Sequence, residues 1–317
     1  MAILQDLNFQ FGDGTQITTA NTGVRALFGF GNNGPTMYSI TNLVTNFGYV
    51  ATDTTGVAGV EARYLLAAAG YGGDKAIFAY GSGGSVTNLV SNIGVVATDT
   101  AYVGTPRAHL AAAGYGGDKA IFGYGAPDGS NTTRYSVTNK VSNIGVVATD
   151  TTGVGTARSS LAAAAYGFDK AIFGYGSVSG PSNVSVTNLV SNAGVVATDT
   201  TGVGTARRDL AAAGYGYDKA IFAYGSTSSS GSYIGRTGTS NLVSNQGVVA
   251  TDTTGVGTSR SYLAAAGYGG DKAIFGYGFS TTYVNTTNLV SNVGVVAANT
   301  TGVGSTRYAL AAASYAI

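Results

Sequence analysis

The sequence is dominated by one stretch that returns along the chain with few changes. LAAAGYGGDKAIFGYG occupies residues 110–125, and close copies stand at 66–81, 161–176, 210–225 and 263–278. A diverged copy lies at 24–31, and a copy that stops early ends the chain at 310–317. Internal repetition of this kind indicates a fold built by stacking one supersecondary unit many times.

Each unit contains four apolar runs separated by turn residues. A Gly-rich turn joins the first two, LAAAGY and KAIFGYG, and three alanines between Gly and β-formers are too few to nucleate a helix. The last two runs, VTNLVSN and GVVATDT, meet at an Asn-x-Gly sequence such as Asn143-Ile144-Gly145. A short connection whose Gly can adopt a positive φ is typical of a hairpin. We therefore expect each unit to be a four-stranded antiparallel sheet.

An Arg begins each unit, at positions 63, 107, 158, 207, 260 and 307, so the gaps are 44, 51, 49, 53 and 47 residues. Four-stranded units of this length are typical of propeller blades. One thin sheet cannot cover its own faces, so neighbouring sheets must cover them. The small residues of LAAAGY suit the innermost strand, where the sheets crowd the axis. The sequence thus predicts an all-β fold, a six-bladed β-propeller over 24–317 that follows an N-terminal arm or edge strand over 1–23.

The copies also predict how the ring closes. The second, third and fourth runs each occur six times, whereas the first occurs five times inside the chain and once at its end. The economical interpretation makes the C-terminal strand the inner strand of the N-terminal blade, which would leave only short, protected edges. An alternative makes 17–20 that inner strand and leaves the C-terminus spare.

The repeated sequence RxxLAAAGYGGDKAIFGYG resembles the kelch repeat in its Arg, small apolar strand, Gly–Lys turn, aliphatic–aromatic strand and closing glycines. The resemblance covers about 24–317 and implies a propeller. It departs from the kelch pattern where Tyr splits the glycine pair and where the outer-strand Trp is missing, since the chain has no Trp. The near-identity of the copies also resembles repeat proteins of tailed-phage virions.

Composition excludes several classes of function. Charged residues make up 10% of the chain and the net charge is +1, so no field attracts nucleic acid or an anionic membrane. The chain has no Cys, which excludes disulfides and thiolate metal sites. No run of 18 apolar residues occurs, and the first residues do not have the pattern of a Sec-type signal, so we expect none. We expect no nucleic-acid partner, no membrane insertion, and a virion or extracellular location without a signal peptide, with a cytoplasmic location left open.

Catalytic residues are scarce. Glu61 is the only glutamate and His109 the only histidine. No Ser/His/Asp or Cys/His nucleophile system is expected from the sequence, and we predict no enzyme activity and no cofactor. His109 is predicted to face solvent, because its position varies between units. The residues assigned to that position in the other units are Tyr64, Ser160, Asp209, Tyr262 and Ala309.

Two repeated acidic positions have structural interpretations. The Asp of ATDT lies about eight residues before the repeated Arg, and we expect an Asx-type turn or an ion pair with that Arg. A calcium site is the alternative, but each loop offers one carboxylate, so no metal is predicted. The Asp-Lys of GGDK lacks the Gly-Lys-Ser/Thr ending of a phosphate loop and indicates a solvated charge pair at a turn. The ATDT positions are Asp53, Asp99, Asp150, Asp199 and Asp252, with Asn299 in the sixth unit.

The loop between KAIFGYG and the third run varies most, from six residues (82–87) to fifteen (226–240). Length variation on one face is how repeat proteins build a binding surface. Tyr and Arg are common binding hot spots, and Tyr also stacks on sugars. Drift in unconstrained loops, with aromatics folded back onto the blades, is the alternative. The candidate ligand-binding residues are Met37, Tyr38, Arg134, Tyr135, Tyr233, Arg236, Phe279 and Tyr283.

These patterns predict a non-enzymatic binding or structural module. We expect a virion or extracellular component that recognises a host-surface glycan or a protein partner through the variable loops. A purely architectural assembly protein, docked through 1–23, is the first alternative. A propeller lyase or glycoside hydrolase is the second, and it would need convergent carboxylates or His near the axis.

Overall fold

The computed structural model describes residues 9–10, 16–17, 23–56, 58–83, 85–128, 132–180, 182–229 and 234–316. Every regular element in these ranges is a β-strand. A two-stranded antiparallel ladder of β1 (Phe9–Gln10) and β2 (Gln16–Ile17) comes first. Six sheets of a common plan follow, five with three strands and one with four.

Each of the six sheets has an inner strand from the Ala-rich run. Its residues alternate in burial: in Ala67–Tyr71, Ala67 and Ala69 are buried, whereas Ala68 and Gly70 are partly exposed to a central cavity. Small residues are needed there because inner strands approach one another closely. The inner strands are β5 (Ala67–Tyr71), β9 (Ala111–Tyr115), β12 (Ala162–Tyr166), β15 (Ala211–Tyr215), β18 (Ala264–Tyr268) and β21 (Ala311–Tyr315).

The middle strands are buried on both faces. After the first residue of each strand, every position is buried. The alternation in the sequence suggests that only one face of these strands is buried, but both faces pack against a neighbouring sheet. Third strands then pair with the middle strands. The middle strands are β3 (Arg25–Gly29), β6 (Lys75–Ala79), β10 (Lys119–Gly123), β13 (Lys170–Gly174), β16 (Lys219–Ala223) and β19 (Lys272–Gly276). The third strands are β4 (Thr41–Val44), β7 (Val86–Val90), β11 (Thr138–Val141), β14 (Thr187–Val190), β17 (Ser240–Val243) and β20 (Thr287–Val290).

The fourth run corrects the prediction of four full strands. It forms a short strand, β8 (Thr100–Ala101), only beside β7, and elsewhere it makes isolated bridges such as Val141 with Val147 and Thr138 with Thr151. The outer segment has one residue more between these bridges than the third strand, so it bulges. The bulge interrupts the ladder and brings the Asp150 side chain to the Asn139 amide of the third strand.

The hydrophobic core lies between sheets. Each apolar cluster combines two consecutive sheets, as where Ile121 and Tyr124 meet Phe173, and Phe28 of the first sheet meets Ile274 of the last. Each inner strand contacts the inner strands before and after it, and β21 contacts both β18 and β5. The stacking is therefore propeller-like.

The C-terminal strand is placed as the sequence predicts. β21 pairs antiparallel with β3, with Ala313 opposite Leu27. The alternative in which 17–20 take this place is wrong, because β21 occupies that edge of β3 and Gln16–Ile17 pairs with β1.

Candidate functional site

The sheets have two ends of different character. The linker face carries the variable loops and the segments that lead into the inner strands. The turn face carries the GGDK turns and the Asn-x-Gly hairpins. At each GGDK turn the Lys Nζ lies 2.5–2.9 Å from the adjacent Asp Oδ1, which confirms the predicted charge pair.

At the linker face the axis ends in an opening surrounded by the six residues that precede the repeated Leu. Each amide donates a hydrogen bond to the carbonyl of the equivalent residue in the sheet before it, and the Leu65 amide bonds Ala309 over 2.7 Å, so the series is cyclic. All six have φ between 52° and 57°. Backbone hydrogen bonds and backbone conformation therefore form this axial opening, and the side chains at the six positions can differ between sheets. Its residues are Leu65, His109, Ser160, Asp209, Tyr262 and Ala309.

This geometry corrects two expectations about His109. Its equivalent in the preceding unit is Leu65, not Tyr64, because the hydrogen-bonded series runs through Leu65. Its side chain is also only 27% exposed, since it lies over the opening against other ring members instead of facing solvent.

The polar side of the opening gathers three chemically useful side chains. His109 Nδ1 lies 3.0 Å from Ser160 Oγ and 4.0 Å from Asp209 Oδ1. Arg208 Nε lies 3.7 Å from the same carboxylate. Burial lowers the pKa of His109, although Asp209 opposes the shift, so the imidazole is neutral at pH 7. Ser160 and Asp209 approach the same nitrogen, whereas a nucleophile relay needs them on opposite nitrogens.

The other side of the opening is apolar. Leu65 and Ala309 complete the ring there, and Leu66 and Leu310 line the hollow beneath it. An opening that is polar on one side and apolar on the other can accommodate a small amphipathic group.

Aromatic side chains lead from the variable loops to this opening. The Phe279 and Tyr283 ring centroids are 5.5 Å apart, and the Tyr283 and Tyr308 rings stack at 5.1 Å with an interplanar angle of 15°. Tyr308 meets Tyr262 edge-on at 5.4 Å, and Tyr262 belongs to the opening. Arg236 lies over Phe279 at 5.2 Å. We call Phe279, Tyr283, Tyr308 and Tyr262 the aromatic row.

The predicted ligand-binding residues divide into two groups. Arg236, Phe279 and Tyr283 come together in or on the aromatic row. Arg134 lies near the opening, where burial and then Arg208 lower its pKa and Asp209 opposes them. Sequence reasoning missed Tyr262 and Tyr308, although both are aromatic residues just after a repeated Arg, at positions that vary between units.

The remaining predicted residues lie beside these features. Met37 is exposed, and its loop borders the aromatic row because Gly34 lies against the Tyr283 hydroxyl. The Tyr38 hydroxyl accepts a hydrogen bond of 2.5 Å from Asn33 Nδ2. The Tyr135 carbonyl accepts one of 3.3 Å from the Arg158 amide. Tyr233 lies outside the described residues.

The repeated Arg ties adjacent sheets together. Arg158 is fully buried, with its guanidinium 4.3 Å from the Tyr124 ring of the preceding sheet. Its Nη2 donates to Asn188 Oδ1 of the following sheet over 2.6 Å, and its Nη1 lies 3.9 Å from Asp199. Tyr124 itself has φ 64°, and its hydroxyl donates to the Val154 carbonyl. The Tyr that stands between Gly123 and Gly125 is thus the surface against which the Arg packs.

The ion pair differs from the expected one. Asp199 pairs with Arg158, whereas the sequence predicted a pair with Arg207, eight residues after it. The reason is that the segment containing Arg158 runs along the outer edge of the sheet to which Asp199 belongs. Burial opposes ionisation of Asp199, but hydrogen bonds from Thr156 and Asn188 outweigh it and lower its pKa. The charges of Asp199 and Arg158 are therefore used in contacts that join adjacent sheets.

Two negative findings concern the described residues alone. Within them, no three His, Asp or Glu side chains lie close enough together to hold a metal ion. The same ranges contain no helix of the length and hydropathy needed to cross a bilayer.

Repeated antiparallel sheets, stacked with their inner strands side by side, are those of a β-propeller-type protein. Among solved structures, the one titled "Structure of YjhT", a propeller-type fold, is similar with a TM-score of 0.54. The likeness covers 70% of this chain and 74% of that chain at 12% identity, so it concerns the fold alone. No protein-family model and no curated protein matches the sequence.

Proposed function

We propose that the chain is a closed, six-bladed, kelch-like propeller that acts as a non-enzymatic binding module. The cyclic hydrogen bonds around the axial opening and the pairing of β21 with β3 support closure. In this proposal the protein is a virion or extracellular component, and its linker face recognises a surface glycan or a protein.

The observation that carries the binding proposal is the continuity of the aromatic row with the axial opening. Rings at 5.1–5.5 Å spacing offer flat apolar surfaces next to a cluster of hydrogen-bonding groups. A sugar ring has an apolar face that stacks on Tyr and hydroxyls that suit His109, Ser160 and Asp209. A protein loop with an exposed aromatic or amide side chain would use the same groups.

A glycan array with the purified protein, followed by titration of any hit, tests this proposal. We expect Tyr283→Ala and Tyr308→Ala each to weaken binding by about tenfold or more, the size of a binding hot spot. Tyr49→Ala on the turn face, where the side chain is 73% exposed, is the matched control. Absence of array hits together with a stoichiometric protein in pull-downs selects the protein ligand. Absence of both overturns the proposal.

An architectural role through residues 1–23 is the second candidate. Val24, where the described chain enters the first sheet, lines the turn-face end of the axis. An arm that starts there would attach the protein by the face opposite the aromatic row. Deleting 1–23 should then abolish assembly and leave ligand binding intact, whereas unchanged assembly would exclude the arm.

A further inference from the structure

Exposed apolar side chains concentrate on the turn face. Of the sixteen exposed large apolar side chains among the described residues, twelve lie at its hairpin tips or its GGDK turns. Exposed apolar side chains gathered on one face of a protein indicate an interaction site. The twelve are Phe47, Tyr49, Ile93, Val95, Ile144, Val146, Phe168, Val195, Tyr217, Val248, Val293 and Val295.

The hairpins themselves do not require these side chains. The turn is made by the Asn-x-Gly backbone, with Gly145 at φ 85° and the Val146 amide donating a hydrogen bond to Ser142 Oγ. Two of the six hairpins carry Ala193 and Gln246 at the tip position that Ile144 occupies. Hairpin folding therefore does not explain a 74% exposed Ile144.

Two aromatic residues on this face are also held in a disfavoured backbone conformation. Phe168 and Tyr217 have φ of 70° and 69° at the turn position where Gly73, Gly117 and Gly270 stand in other units. A bulky residue in this region is strained, and such strain persists at functional positions. Phe168 is 74% exposed, so packing within the chain does not compensate for it.

A hollow of about 200 Å³ lies beside Phe168 at the turn-face end of the axis. Gly73 and Gly117 line it, and apart from the glycine and its two chain neighbours no atom lies within 4 Å of the position that a Cβ would take at either residue. The same face thus carries a projecting ring on one sheet and an open glycine-lined hollow on neighbouring sheets. A surface with both is complementary to itself across a two-fold axis.

We propose that the turn face docks against the turn face of a second copy of this chain, with Phe168 of each copy entering the hollow of the other. The charges of the face suit this partner, since each turn Lys is neutralised by its own Asp and two copies do not repel. The ten hairpin-tip side chains are each 54–74% exposed, so they offer apolar area to an interface, and a standard interface buries ~800 Å² per partner. This interface leaves both linker faces free.

Sedimentation velocity of the full chain over about a hundredfold range of concentration tests the proposal, because dimerisation obeys mass action. We expect a concentration-dependent dimer. Phe168→Gly introduces the residue that other units carry there, so it should keep the fold, raise the Tm of the monomer and weaken dimerisation by about tenfold or more. Gly117→Phe should weaken it similarly by filling the hollow, and Phe168 shows that this turn accepts Phe.

Ile234→Gly, at a residue 56% exposed on the linker face, is the control and should leave the dimer unchanged. A wild-type chain that stays monomeric throughout, or a Phe168→Gly chain that dimerises like wild type, overturns the proposal. Neither outcome depends on ligand binding at the linker face, so this interface and the proposed function can fail separately.

Discussion

At the scale of single residues, contact between sheets depends on one Phe and one small residue facing it. A Cβ at Gly123 would lie 2.8 Å from Phe173 Cζ, and Gly29, Gly174 and Gly276 are placed likewise. Ala79 and Ala223 hold this position in the other two sheets. There the Phe ring lies 5.5–5.6 Å from its aromatic neighbour, compared with 5.0–5.2 Å elsewhere. The Phe ring is thus displaced by a few tenths of an ångström where a methyl group faces it.

This comparison predicts that Gly123→Ala is tolerated and that Gly123→Val is not. Gly123→Ala should lower the free energy of unfolding by less than ~1 kcal/mol, because Phe173 can shift as its equivalents do. Gly123→Val adds two further carbons to a filled interface and should cost about 1–3 kcal/mol. Urea denaturation measures both, and equal losses for the two variants would contradict the argument.

A second residue-scale prediction concerns the Tyr beneath each Arg. Burial raises the pKa of Tyr124 to about 12, so its hydroxyl stays protonated and donates to the Val154 carbonyl at neutral pH. Tyr124→Phe should therefore cost about 1 kcal/mol, the net value of one hydrogen bond, and keep the ring under Arg158. Phe30 already holds this position under Arg63 in the first sheet. Tyr102→Phe, at an exposed Tyr, is the control in the same denaturation series.

At the scale of elements, in five of the six sheets the segment that enters the sheet is fixed by a carboxylate of that same sheet. Thr156 donates its amide and hydroxyl to Asp199, and Arg158 follows two residues later. In the sixth sheet Asn299 takes the place of the Asp and accepts from the Thr258 amide. The fold thus accepts a neutral residue in this position.

These carboxylates make stability sensitive to acid. Hydrogen bonds and the nearby Arg, against the opposing effect of burial, lower the pKa of Asp53, Asp150, Asp199 and Asp252. A lowered folded pKa gives stability that is complete above the unfolded value of about 3.9 and is lost as pH falls through the folded pKa. Asp199→Asn should therefore flatten the fall in unfolding free energy below about pH 4. Denaturation at a series of pH values checks this, and an unchanged slope would contradict it.

At the scale of the whole molecule, the start of the first repeat and the end of the last repeat meet. Val24 and Ala316 line the same turn-face hollow, and β21 completes the sheet that begins with β3. This meeting of the first and the last repeat is what the proposed closed propeller requires.

A circular permutant tests this arrangement. Joining 316 to 24 through a short Gly/Ser linker and opening the chain between Ser229 and Ile234, which are both exposed, should give a protein that unfolds cooperatively near the wild-type Tm. Removing 310–317 from the unpermuted chain should abolish cooperative unfolding, because it removes the inner strand of the first sheet. A permutant that fails to fold while the truncation folds would contradict the proposed closure.

Much of the fold was predictable because it depends on patterns that lie within one repeat. The strand order, the Asn-x-Gly hairpins such as Asn143-Ile144-Gly145 and the placement of small residues inside all follow from local alternation and turn chemistry. The bulged outer segment was not predictable, because a single added residue in a Val- and Thr-rich run leaves no signal in a pattern of period two.

What the sequence determined by itself is the repeating unit and the number of its copies, since these are fixed by residues near one another in the chain. The tertiary structure alone decided that Asp199 meets Arg158, that His109 meets Ser160 and Asp209, and that Tyr283 stacks on Tyr308. Most of these contacts join residues of different repeats. Which residues meet depends on the position and orientation of one sheet relative to the next. The repeat period in the sequence carries no information about that relative position and orientation.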